Sequence, residues 1–258
     1  MTTTLLVPGA WMGAWIWEDM VERLRSAGHH AHTLTLSGLE ASTPSSVAAE
    51  VSLEQHVDDV MQALGAVDDE VVLVGHSYSG AVVGLVADRL LAAGARHGAP
   101  IPRLRRVIHV ASFLPRTDRS LLDDWGDDVE AREAEKAQVR ADGMLWNPPP
   151  GAALAEIGDL TEAQAKWLGD RFVAHPGRTV LDPARLARPV SEQVSTFIAT
   201  APAGQDPRAD LPPELGRAAA DLPQRWRVRT LESGHWPMLS VPEELFDLLD
   251  GEIRSTAA

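Results

Sequence analysis

The stretch Val71-Val-Leu-Val-Gly-His-Ser-Tyr-Ser-Gly-Ala81 constrains this chain more than any other. A continuous β-branched run suits a strand buried on both faces of a parallel sheet. Gly80–Ala93, directly after it, is apolar throughout and reads as a buried helix. Between them lie only small residues, His76 and Tyr78, so the chain must turn sharply from strand into helix. A serine on such a turn is lifted above the C-terminal edge of the sheet with its hydroxyl exposed, and the helix behind it aims N–H groups at the site. Ser77 is therefore the candidate nucleophile. The pattern departs from G-x-S-x-G: Gly75 is present, Ser79 occupies the second glycine position, and Gly80 follows.

The rest of the chain supplies the sheet this turn needs. Thr3–Val7 reads as a buried strand ending at Pro8-Gly9, and Trp15–Ala27 as a helix with Ile16, Met20, Val21 and Leu24 on one face. His32–Leu36 reads as the next strand. Ser52–Leu64 reads as a helix, with Ser52 and Gln55 spaced for a capping box. Further strands are expected over Arg106–Val110, Ser195–Thr200 and Arg227–Leu231, and helices over Pro213–Asp221 and Pro242–Leu249. Alternating strands and helices predict an α/β fold with a doubly wound, mostly parallel sheet. Between about Pro115 and Pro189 the texture changes to acidic, alanine-rich helical stretches around Asn147-Pro-Pro-Pro150, with no buried strand pattern. The expected organisation is a core of residues 1–114 and 190–258 with a helical cap, 115–189, inserted in it.

His235 supplies the second chemical group. It lies in Leu231-Glu-Ser-Gly-His-Trp236, between the last expected strand and the last helix. Triads on such sheets run in the order serine, acid, histidine. An imidazole titrates near neutrality and can take the serine proton and return it to a leaving group. The other histidines read as surface, turn or interior residues, His76 as a structural part of the turn.

With 258 residues, 45% hydrophobic, the chain can bury one sizeable core, and having no cysteine it has neither disulfides nor thiolate chemistry. A formal net charge of −14 disfavours nucleic acid and anionic lipid as partners. No segment reads as a signal peptide or a membrane span, so a cytoplasmic location is expected. No nucleotide, metal or flavin signature is evident, and no cofactor is expected. The oligomeric state is not legible, a homodimer being one option.

Three segments, Leu5-Leu-Val-Pro-Gly-Ala-Trp-Met-Gly-Ala-Trp-Ile-Trp17, Gly75-His-Ser-Tyr-Ser-Gly80 and Ser233-Gly-His-Trp-Pro-Met238, together resemble the α/β-hydrolase superfamily. They look closest to its branch of plant methylesterases, hydroxynitrile lyases and related bacterial esterases. The similarity spans roughly Thr2–Leu114 and Pro189–Leu249. It implies an oxyanion hole made by the backbone N–H groups of Ala10 and Tyr78, although Pro8 stands where the family usually has histidine. It places the acid just after the strand Ser195–Thr200, where Asp206 is preferred to Asp210 on its spacing from His235, with Asp118 a third option. Trp236, which follows the histidine, is expected to line a pocket. Trp11, Trp125 and Trp146 are further pocket candidates, with core packing as the alternative.

The activity expected is hydrolysis of a small, largely apolar ester, lactone or thioester through an acyl-enzyme on Ser77. A biosynthetic enzyme performing elimination, cyclisation or acyl transfer is an alternative, as is a hydrolase-like ligand-binding protein. Cyanohydrin cleavage is disfavoured, because the lyases carry lysine at the position of Trp236 and threonine at that of Gly9.

Overall fold

A computed structural model describes residues 2–65, 70–94, 103–126, 128–156, 160–209, 211, 215 and 224–255. Six strands form its central sheet: β1 (Thr2–Val7), β2 (His30–Thr33), β3 (Glu70–His76), β4 (Arg103–Val110), β7 (Ser195–Ala201) and β8 (Trp226–Glu232). Their spatial order is β2-β1-β3-β4-β7-β8, with every pairing parallel. Parallel strands need crossovers, which cover both faces and explain the apolar runs of β1 and β3.

Successive side chains point to opposite faces of a strand. Leu5, Val7, Val71 and Leu73 pack on one side, with the helices Leu53–Leu64 and Ser79–Gly94. Leu6, Val72 and Val74 pack on the other, with Trp17, Met20 and Leu24 and with Leu245 and Leu249 of the C-terminal helix Pro242–Arg254. Val71 through Val74 are fully buried, and each such side chain stabilises the fold by about 1.5–3 kcal/mol relative to exposure.

Two element boundaries differ from expectation. The helix over Trp15–Ala27 is split into a 3-10 turn, Ala14–Ile16, and an α-helix, Glu18–Ser26. The second strand is His30–Thr33 rather than His32–Leu36. Beyond the end of this strand the Thr35 hydroxyl accepts the Ala14 N–H at 2.9 Å, joining the two loops. Ser52 does cap its helix, accepting the Gln55 N–H, but the Gln55 side chain bonds Asp59 instead of closing the box. The helix expected over Pro213–Asp221 lies, except for Leu215, outside the described residues.

Between β4 and β7 the chain carries the helices Val129–Ala141, Gly151–Glu156, Glu162–Gly169 and Gly177–Leu181. It also carries an antiparallel ribbon of β5 (Leu145–Trp146) and β6 (His175–Pro176), which the sequence pattern did not announce. Two residues are too few to show a period.

Candidate active site

The strand order reverses direction between β1 and β3, since β2 lies to one side and β4 to the other. Ligands of open parallel sheets bind in the crevice at such a switch point, beyond the C-terminal strand ends. The register sets Val7 opposite Gly75 and His76 opposite Val110, so the loops leaving β1, β3 and β4 emerge at one level.

Ser77 follows β3 immediately, with φ of +52°. A non-glycine residue in this left-handed region costs about 1–2 kcal/mol, and the surroundings hold it there. Its N–H donates to the Val110 carbonyl, while its own carbonyl accepts from Gly80 and Phe113. Trp11 and Ala111, beyond β1 and β4, are left-handed as well (φ +65° and +45°). Gly80 is required by proximity: a Cβ there would meet the Phe113 oxygen and the Ser112 Cβ at 2.4 Å. At Gly9 a Cβ would lie 3.0 Å from the Ser77 Cβ, so the loop after β1 rests against the serine. The Ser79 hydroxyl donates to the Pro8 carbonyl and ties this loop to the turn. The two departures from the family pattern, Pro8 and Ser79, thus touch each other.

His235 starts far away. Its loop leaves β8, three strands from β3, which is about 14 Å at ordinary strand spacing. The loop folds back over β4 and β7, with the Ser233 N–H donating to the Ala201 carbonyl. His76 draws it in, its Nε2–H donating to the His235 carbonyl at 2.7 Å. The outcome is a contact of 2.9 Å between His235 Nε2 and Ser77 Oγ. Ser77 is only 6% exposed. Burial lowers the His235 imidazole from the usual 6.5 to about 4, so it is neutral at physiological pH. Its Nε2 is then unprotonated in the tautomer that carries its proton on Nδ1.

Tyr78 follows Ser77 in the chain, and Ala10 follows Gly9, whose loop rests against the serine. Neither backbone N–H donates a hydrogen bond to any acceptor among the described residues, whereas the neighbouring Trp11 N–H donates to His175 Nδ1 at 3.3 Å. The Tyr78 side chain is anchored below. His56 Nε2–H donates to the Ser37 carbonyl at 2.7 Å, which leaves His56 Nδ1 to accept the Tyr78 hydroxyl at 2.8 Å. Burial drives both groups neutral, lowering His56 to about 4 and raising the Tyr78 phenol.

A cavity of about 560 Å³ opens above Ser77 and His235. All four tryptophans singled out from the sequence, Trp11, Trp125, Trp146 and Trp236, line it, along with Phe113 and Glu135. A second hollow of about 490 Å³ meets the other side of His235, between Phe113, Phe197 and Leu211.

The acid is where expectation and structure part. Asp206 is exposed in a turn, and its Oδ1 accepts the Arg208 N–H at 2.9 Å. It makes no bond to His235, because a short aspartate in a tight turn is satisfied by its own backbone. Asp118 is exposed also. Among the described residues no carboxylate bonds His235 Nδ1; Asp210 lies outside them. The residues undervalued from the sequence are His76 and His56. For His56 a signal existed: it shares the buried face of its helix with Leu53, Val57 and Val60.

Residues 4–248 match the alpha/beta hydrolase family, and the chain belongs to that family. Within it the chain sits in the methylesterase-like branch. A carbendazim hydrolyzing esterase from Nocardioides sp. (strain SG-4G) is 30% identical over 257 residues, covering 96% of this chain and 98% of that protein. Methylesterase 2 of Arabidopsis thaliana is 30% identical over 118 residues, 45% of this chain and 41% of its own. Among solved structures, an extracellular alpha/beta-hydrolase from a Paenibacillus species, described as sharing homology with tobacco salicylic acid binding protein 2, superposes with a TM-score of 0.77. It covers 96% of this chain and 98% of its own at 18% identity, a likeness of fold. No described helix is long and apolar enough to cross a membrane.

Proposed function

We propose that the chain is a serine esterase that cleaves small, largely apolar esters through an acyl-enzyme on Ser77. The observation that carries this reading is the 2.9 Å approach of His235 Nε2 to a serine oxygen held at positive φ on the switch-point edge of the sheet. The esterase and methylesterase names of its relatives support the reaction class.

In the proposed cycle the proton of neutral His235 sits on Nδ1, so Nε2 accepts the Ser77 proton as the oxygen attacks the ester carbonyl. The oxyanion is received by the free N–H groups of Ala10 and Tyr78, each worth about 3–4 kcal/mol in such a position. His235 then protonates the departing alkoxide. A water molecule, deprotonated by the same nitrogen, attacks the acyl-enzyme, and collapse returns Ser77 and releases the acid. The segments between β4 and β7 act as a cap that walls the cavity with tryptophan and sets which acyl or alcohol group enters.

The test is a burst of p-nitrophenolate from p-nitrophenyl butyrate. Ser77→Ala is expected to abolish both burst and turnover, and His235→Ala to lower kcat by about 10²–10⁴-fold. A burst that survives Ser77→Ala overturns the assignment.

A further inference from the structure

Glu135 is out of place in the cavity above Ser77. The other walls that concern it are aromatic: Trp146 packs on Trp11 with ring centroids 4.3 Å apart and meets Trp125 edge-on at 5.0 Å, and Trp125 tilts against Phe113 at 5.8 Å. These rings all line the cavity, with their planes inclined to one another by 47°, 89° and 31°. Glu135 reaches this space from the helix Val129–Ala141, and its Oε1 accepts the Trp146 indole N–H at 2.5 Å. That single bond orients the carboxylate without neutralising it.

The neighbouring cations are engaged elsewhere. Lys136 pairs with Asp123 and Glu133, and Arg132 donates to the Trp125 and Gly126 carbonyls. Among the described residues no cation pairs with Glu135.

A carboxylate without a counter-charge penalises a neutral apolar ligand, which strips water from it and offers nothing in return. A ligand with one positively charged nitrogen reverses that balance, pairing with the carboxylate and resting on the ring faces, which attract cations through their quadrupoles. The formal net charge of −14 also favours approach of a cation. We propose that this cavity recognises an otherwise apolar molecule carrying a quaternary or protonated amine, with Glu135 and the tryptophans Trp11, Trp125 and Trp146 as its determinants. The inference rests on the esterase reading in taking the occupant of the same cavity as the substrate, so the preferred esters are those bearing such a nitrogen.

Binding is measurable without turnover. Tryptophan fluorescence is titrated with benzyltrimethylammonium and with neopentylbenzene, which has the same shape and no charge. The cation is expected to bind about tenfold more tightly or better. Glu135→Gln keeps an acceptor for Trp146 and is expected to weaken the cation by about tenfold while leaving the neutral probe within about twofold. Equal binding of the two probes by the unsubstituted protein overturns the inference, even if the variant fails to fold. So does a folded Glu135→Gln protein that weakens both probes alike or neither. A cation preference in a protein that hydrolyses neither p-nitrophenyl butyrate nor butyrylcholine sinks the esterase reading and leaves the binding site standing.

Discussion

Residues 76 and 77 divide two tasks between neighbours. Ser77 carries the hydroxyl, and His76, fully buried beneath it, holds the carbonyl of the histidine that must meet that hydroxyl. If His235 is the base of the proposed cycle, His76 acts through it as a positioning residue. His76→Phe fills the same space without a donor and is expected to lower kcat about tenfold to a hundredfold with little change in KM, the scale of a roughly 1 Å misplacement. His76→Gln keeps a side-chain N–H and is expected to recover much of the loss. Steady-state kinetics on p-nitrophenyl butyrate decide the matter, and equal effects of the two changes remove the proposed positioning. At this scale the meeting of Ser77 and His235 was legible, because each sits on a short turn between well-patterned elements. The acid was not: aspartates in a solvated turn look alike in sequence, and Asp206 proved to serve the Arg208 backbone. Nor was the His76 contact, which joins residues 159 positions apart.

Among elements, the strand–turn–helix unit of β3 and Ser79–Gly94 was readable because burial on both faces leaves an unbroken apolar run. Helix ends were less so: one helical pattern, Trp15–Ala27, covers a 3-10 turn and a separate α-helix that begins at Glu18. The ribbon β5–β6 offered no period at all. The unit depends on close backbone approach, which makes Gly80 its most sensitive position. Gly80→Ala drives a methyl into the Phe113 carbonyl and the Ser112 side chain, and overpacking of this kind costs about 1–3 kcal/mol. The expected result is a Tm lower by several degrees, roughly 2–4 °C for each kcal/mol in a chain of this size. An unchanged melting curve with unchanged activity contradicts so tight a crossing.

For the whole molecule, the sheet and its order of elements were anticipated from alternation alone, but its polar interior was not. His56, His76, His109 and His175 are all fully buried. Burial lowers them to about 4 for His56 and about 3 for His76 and His109, and well below 6.5 for His175. The unfolded chain takes up protons at about 6.5, whereas the folded chain refuses them until those lower values. Stability is thus fully present above 6.5 and is lost as pH falls toward 4, by up to about 1.4 kcal/mol per histidine per pH unit. Acid inactivation is expected to coincide with loss of circular dichroism between about pH 6 and 4, and an unchanged unfolding free energy between pH 7 and 5 rules this out. The grip of His76 on the loop after β8 bears on the same molecule in motion. Ser77 and the His235 carbonyl are both attached to residues 76–77, the one by a peptide bond and the other by the His76 hydrogen bond. If the outer strands shift while that bond holds, the 2.9 Å approach of nitrogen to oxygen is expected to shift less than β8 itself.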